Sequence, residues 1–72
     1  MPMTSEQLEH WFTYHQPGPG DQEKYEAIRG AGFRLAQTIL LRTPASADQT
    51  AAVRKVREAV MTACAAVACK GL

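Results

Sequence analysis

The stretch WFTYHQPGPGDQEKYEAIR, from Trp11 to Arg29, holds the side chains of this chain best equipped for chemistry. Trp11, Phe12 and Tyr14 supply three aromatic rings, His15 an imidazole and Arg29 a guanidinium, all around a Pro/Gly turn. Rings on irregular backbone stack on flat bases, and a guanidinium pairs with phosphate through charge-assisted hydrogen bonds. The set therefore suits a ligand that is both planar and anionic. Each residue also has a plainer use. Aromatics beside a helical hairpin can plug a core, a solitary histidine can hold a local hydrogen bond, and Arg29 can pair with Glu26 across one turn. Tyr14 is the ring least suited to a core, because it sits between polar Thr13 and His15 just ahead of the prolines.

Catalysis finds no support in these residues. No nucleophile, acid and base trio surrounds His15, and opening a phosphodiester would need a metal cluster or a positioned base that the sequence does not offer. The chain reads as a binding protein, not an enzyme, and no cofactor is expected. There is no CxxC pair, and His10 and His15 fall on a different segment from Cys64 and Cys69, so no structural zinc site is expected. The cysteines lie five residues apart in a helical stretch, which separates their Cα atoms by roughly 7.5 Å and turns them away from each other. Two free thiols, packed as small apolar residues, fit a reducing cytosol.

Eight Lys and Arg against seven Asp and Glu leave a net charge of +1, without the positive excess that polymeric nucleic acid attracts. Arg54, Lys55 and Arg57, partly offset by Glu58, read as an exposed helix face. No apolar run approaches the roughly 20 residues of a membrane span, and MPMTSEQ lacks the apolar core of a signal peptide. The expectation is a soluble cytoplasmic protein without a membrane partner. At 72 residues the chain is one domain, 1–72, below the size at which a single core is comfortably stable. With disulfide and metal set aside, oligomerisation is the remaining source of stability.

The elements that position these residues read as all-α. Residues 4–10 can form a short helical turn, with Thr4 and Gln7 in capping-box spacing; otherwise this N-terminal segment is extended. Gln16 to Gly20, QPGPG, stops regular structure, since each proline lacks a donor and the glycines permit positive φ. A long helix over about 21–42 follows, with Asp21 as its N-cap and Glu23 in its first turn. Along it Tyr25, Ile28, Gly32, Leu35 and Ile39 draw one apolar stripe, and Phe33, Ala36 and Leu40 a second beside it. Gly30 and Gly32 cost such a helix about 1 kcal/mol each relative to alanine, so they mark a close approach, either of another helix or of a ligand just past Arg29. After TPASA, Ser46 and Gln49 stand in capping-box spacing and open a second long helix over about 47–69. Its stripe, Val53, Val56, Val60, Ala63 and Val67, matches the first in step and predicts an antiparallel two-helix hairpin. ACAAVAC near its end favours a crowded helix junction, between subunits.

Taken in order, several pieces resemble a known family: aromatic-x-Tyr-His-x-Pro at Phe12 to Pro17, Tyr-x-x-Ile-Arg at Tyr25 to Arg29, Thr-Pro-x-Ser at Thr43 to Ser46, and Met-x-Ala-x-x-Ala from Met61 to Ala66. They are similar to the hairpin domain of phage cyclic-oligonucleotide sponges, the anti-CBASS sponges and the related anti-Thoeris sponges, over about residues 11–69. The resemblance implies a compact homo-oligomer, typically a hexamer, that sequesters cyclic nucleotide messengers uncleaved in the infected bacterial cell and so silences the host's defence. It implies that Tyr14 and Arg29 contact a cyclic dinucleotide in pockets shared by two protomers, with Phe12 walling or stacking on a base and His15 bonding the ligand or fixing the loop. Some members also hold cyclic trinucleotides at a separate site near the three-fold axis. Relatives commonly carry tryptophan after the methionine of the second long helix, where this chain has Thr62, which removes a large contact. Without added domains, the chain looks like the minimal anti-CBASS type. The competing expectation is a helical protein-interaction module with no small ligand.

Overall fold

The computed structural model describes residues 2–72 and contains three helices, α1 (Ser5–Phe12), α2 (Asp21–Arg42) and α3 (Ala47–Ala68), with no strand among the described residues. The all-α hairpin expected from the stripes is the observed fold. The N-terminal segment is helix first and extended chain after.

Both predicted N-caps of the Ser/Thr type form. Thr4 Oγ1 accepts from the Gln7 N–H at 3.1 Å, and Ser46 Oγ accepts from the Gln49 N–H at 3.1 Å. The return arms of the two capping boxes do not form. Gln7 instead donates its amide to the main-chain oxygen of Leu72 at 3.1 Å, and Gln49 donates to Thr43 O at 3.0 Å and to Thr43 Oγ1 at 3.1 Å. Both glutamines thus do tertiary work, one tying α1 to the chain after α3 and the other zipping the turn between α2 and α3. Helix α1 runs to Phe12, two residues beyond expectation, and the Thr13 hydroxyl closes it by donating to Glu9 O at 2.7 Å.

Asp21 is not the N-cap of α2 but its first residue; Gly20 is the cap, at φ 81°. Asp21 N–H donates to Gly18 O at 3.1 Å while Asp21 Oδ2 takes the Gly18 N–H at 2.8 Å. This reciprocal pair clamps the QPGPG elbow. The reason is conformational, because a glycine accepts the left-handed backbone that turns the chain into the helix, and the carboxylate still lies at the positive end of the helix dipole.

Helices α2 and α3, each 22 residues and so about 33 Å long, pack along their length. The half-buried residues are Tyr25, Ile28, Gly32, Ala36 and Ile39 on one side and Val53, Val56, Val60, Ala63 and Val67 on the other. Leu35, expected in this seam, is turned out and 54% exposed, and Ala36 takes its place. Gly32 is a point of close approach: a methyl there would overlap Val60 Cγ2 and touch Val56 Cγ1. Gly30 meets only the tip of Arg34 and marks no helix contact.

After α3 the chain turns back sharply. Lys70 N–H donates to Val67 O at 3.2 Å and Gly71 N–H to Ala66 O at 3.0 Å, with Lys70 at φ 55° and Gly71 at φ 78°, the bonding pattern of a Schellman motif. Helix α1 docks on this turn through Gln7, His10 and Trp11, whose side chains donate to the main-chain oxygens of Leu72, Cys69 and Leu72.

One chain alone has almost no interior. Cys69, at 9% exposure, is the one buried hydrophobic residue among those described, whereas Phe33, Leu40, Leu41 and Met61 are all more than half exposed. The radius of gyration is 15.3 Å, against about 11 Å for a compact domain of this length. The accessible surface is 6039 Å², roughly 1,600 Å² more than a folded monomer of this mass presents.

Candidate functional site

Tyr14 lies in the extended chain between α1 and the elbow and is 82% exposed; Phe12, the last residue of α1, is 84% exposed. Two large exposed rings flank Thr13, whose hydroxyl fixes the end of α1. Their backbone is held from both sides. On one side Trp11 Nε1 donates to Leu72 O at 3.0 Å; on the other His15 Nε2 donates to His10 O at 2.7 Å. The aromatic pair is therefore presented from a braced segment. The His15 bond ties the linker back to the end of α1.

Trp11 is half exposed rather than a core plug. With Phe12, Met61, Thr62 and Ala65 it lines an apolar groove of about 550 Å³ on the α3 side of the molecule. Thr62 and the neighbouring alanines give the groove its depth, since a ring at residue 62 would occupy it.

Arg29 opens the third turn of α2, and its guanidinium sits 5.9 Å from the centre of the Tyr25 ring, a cation–π separation. Its alternative partner Glu26 makes no ion pair with it; among the described residues the one ion pair joins Lys24 to Asp21 at 3.9 Å. Arg29 is thus an exposed cation without a carboxylate on it, steadied by an aromatic face. Desolvation between the helices pushes the Tyr25 phenol above its ordinary range, and the Asp21 carboxylate adds to this while Arg29 opposes it. Tyr25 stays a neutral hydroxyl beside the cation.

Neither Tyr14 nor Arg29 lines the apolar groove or the smaller cleft formed by Glu6, Glu9, His10, Thr13 and His15.

The structure also joins residues that sequence reading kept apart. The His10 and His15 rings lie 4.3 Å apart, tilted by 49°, and Cys69 reaches the same spot from the end of α3. Segment distance misled here because α1 folds back on the turn after α3. The hint in the sequence was Gln7, which stands three residues before His10 and four before Trp11 and so brings these donors to one side of a short helix. Both cysteines are free thiols, as expected. No helix of the described residues is long and apolar enough to cross a membrane.

A family model described as Acb2/Tad1, hairpin domain, matches residues 4–68. No curated protein and no solved structure matches the chain.

Proposed function

The chain belongs to the Acb2/Tad1 hairpin family, a sponge-type binding domain rather than a catalyst, and from that premise we propose that it captures cyclic dinucleotides and holds them uncleaved. The ligand sits at a junction of two chains, with Tyr14 and Phe12 against the bases and Arg29 on the phosphates. Capture takes place in the cytoplasm of an infected bacterial cell and withdraws a messenger from CBASS-type signalling.

The observation that carries this reading is the pair of unspent binding groups on a hairpin that cannot bury its own apolar surface: Tyr14 at 82% exposure and Arg29 without a carboxylate partner among the described residues. A two-fold junction of chains doubles both groups. A cyclic dinucleotide carries two bases and two phosphates, which two tyrosines and two arginines match. Stacking contributes about 1 to 3 kcal/mol per base, and each arginine adds a charge-assisted pair. The surplus surface of roughly 1,600 Å² equals two ordinary interface faces of about 800 Å² each, which favours an assembly larger than a dimer, the hexamer first. Cyclic trinucleotides fit this reading only at a separate site on a higher symmetry axis.

Titration calorimetry with a panel of cyclic di- and trinucleotides tests the proposal, followed by heat denaturation and analysis of the released ligand. Expected are saturable heat with at least one cyclic dinucleotide and recovery of the intact ring. No heat with any member of the panel overturns capture, and linear product overturns sequestration without cleavage.

A second reading draws on the exposed apolar residues Phe33, Leu35, Leu40 and Leu41 of α2: a helical module that pairs with another protein and holds no small ligand. Light scattering separates the two, because a stable homo-oligomer covers that surface with copies of the chain itself, whereas a module waiting for a foreign helix stays monomeric.

A further inference from the structure

His10, His15 and Cys69 meet where α1 folds onto the turn after α3. One ring nitrogen from each histidine and the Cys69 Sγ all lie within 4.8 Å of one another. Two imidazoles and a thiol form the donor set of a borderline divalent transition metal, with Zn²⁺ the leading case.

The hydrogen bonds around the cluster set the donors. A carbonyl only accepts, so the bonds from His10 Nε2 to Cys69 O at 3.0 Å and from His15 Nε2 to His10 O at 2.7 Å put a proton on Nε2 in both rings. In that tautomer the lone pair of each ring lies on Nδ1, the nitrogen left for coordination. Metal-bound histidines carry this same second bond, from the far ring N–H to a backbone carbonyl. Charge agrees as well: Glu6 and Glu9 line the cleft with both histidines and place negative potential beside an incoming cation. The tetrahedral separation of such donors is roughly 3.3 to 3.6 Å, so the three need to close by about 1 Å. His15, on the extended linker, and His10, on a short helix, have the freedom to do so.

We propose that His10, His15 and Cys69 bind one Zn²⁺-class ion per chain, with water or a nearby carboxylate completing four-fold coordination. As the sulfur–metal bond forms, the Cys69 thiol gives its proton to solvent, and each histidine donates a ring-nitrogen lone pair to the ion. The ion staples α1 and the Tyr14 segment to the end of α3. A chain with so little interior gains most from such a staple, because metal affinity becomes folding stability.

Cobalt titration of the metal-stripped protein tests this. Expected are one equivalent bound per chain with a thiolate-to-cobalt charge-transfer band, bleached by added Zn²⁺, absent in Cys69→Ser and kept in Cys64→Ser. No charge-transfer band at stoichiometric cobalt, or a band that persists in Cys69→Ser, overturns the proposal. Should Cys69→Ser fail to fold by circular dichroism, two other measurements decide. His15→Ala should bind roughly tenfold more weakly or worse. In the wild-type chain Zn²⁺ should slow alkylation of Cys69 but not of Cys64. Unchanged affinity in His15→Ala, or equal alkylation rates with and without Zn²⁺, overturns the site.

Discussion

Gly32 of α2 lies flush against Val60 of α3, with no room for a methyl group between them. This contact sets how closely the two long helices approach.

Gly32→Ala should therefore loosen the hairpin although alanine is the better helix former. Overpacking costs about 1 to 3 kcal/mol, and the helix-propensity gain returns about 1, so a net loss of up to about 2 kcal/mol is expected in urea unfolding. Val60→Ala in the same chain should recover part of it by vacating the space. Gly30→Ala is the contrast: a Cβ there meets only the flexible end of Arg34 at 3.3 Å, so stability should rise by up to about 1 kcal/mol. If both glycine variants lost stability equally, the close approach at Gly32 would not be the cause.

Lys70 holds a left-handed conformation at the position where the Schellman turn after α3 ordinarily takes glycine. Side chains other than glycine are strained there by roughly 1 to 2 kcal/mol. Lys70→Gly should raise stability by about 1 kcal/mol, part of the gain being offset by the greater freedom of glycine in the unfolded chain. A thermal melt that shifts downward would contradict the assignment of that turn.

The bonds from Gln7, His10 and Trp11 to the 69–72 turn hold α1 in place. Trp11 is the single tryptophan of the chain, so its fluorescence reports directly on this docking. His10→Ala and Gln7→Ala should each red-shift the emission and, taken together, cost about 1 to 3 kcal/mol of stability. An unchanged spectrum in the double variant would mean that the indole is held by other contacts.

Local signals in the sequence located the helices because their physics is local. Thr4 and Ser46 cap the helices that their spacing announces, and Pro44 follows the end of α2. Gly32 was legible as a close approach, since a glycine inside a helix costs stability unless something occupies its open side. Leu35 and Ala36 were not, because choosing between neighbouring residues needs the distance between helix axes. Asp21 misled for a related reason: Gly20 outcompetes it through backbone conformation alone. The meeting of His10 and His15 with Cys69 depends on the return of α1 onto the turn after α3, which no periodicity encodes. Tyr14 stood out as a ring on irregular chain and Arg29 as a cation on the following helix, but neither of the two clefts described above contains either of them.

That last point carries the most direct prediction about function. Because Tyr14 is exposed and, among the described residues, makes no side-chain hydrogen bond of the kind that braces His15 and Trp11, and Arg29 rests on the Tyr25 ring, Tyr14→Ala and Arg29→Ala should leave helix content and assembly mass unchanged. Each should weaken cyclic dinucleotide binding at least tenfold, since the loss of about 1.4 kcal/mol that this requires is less than one stacked base at the upper end of its range. Arg29→Lys should recover only part of the affinity, because an ammonium cannot form the two parallel bonds of a guanidinium to phosphate. Native mass spectrometry with ligand reads both quantities at once. An assembly that stays intact and still binds normally in either alanine variant would move the site elsewhere, whereas one that falls apart would make these residues part of the interface instead.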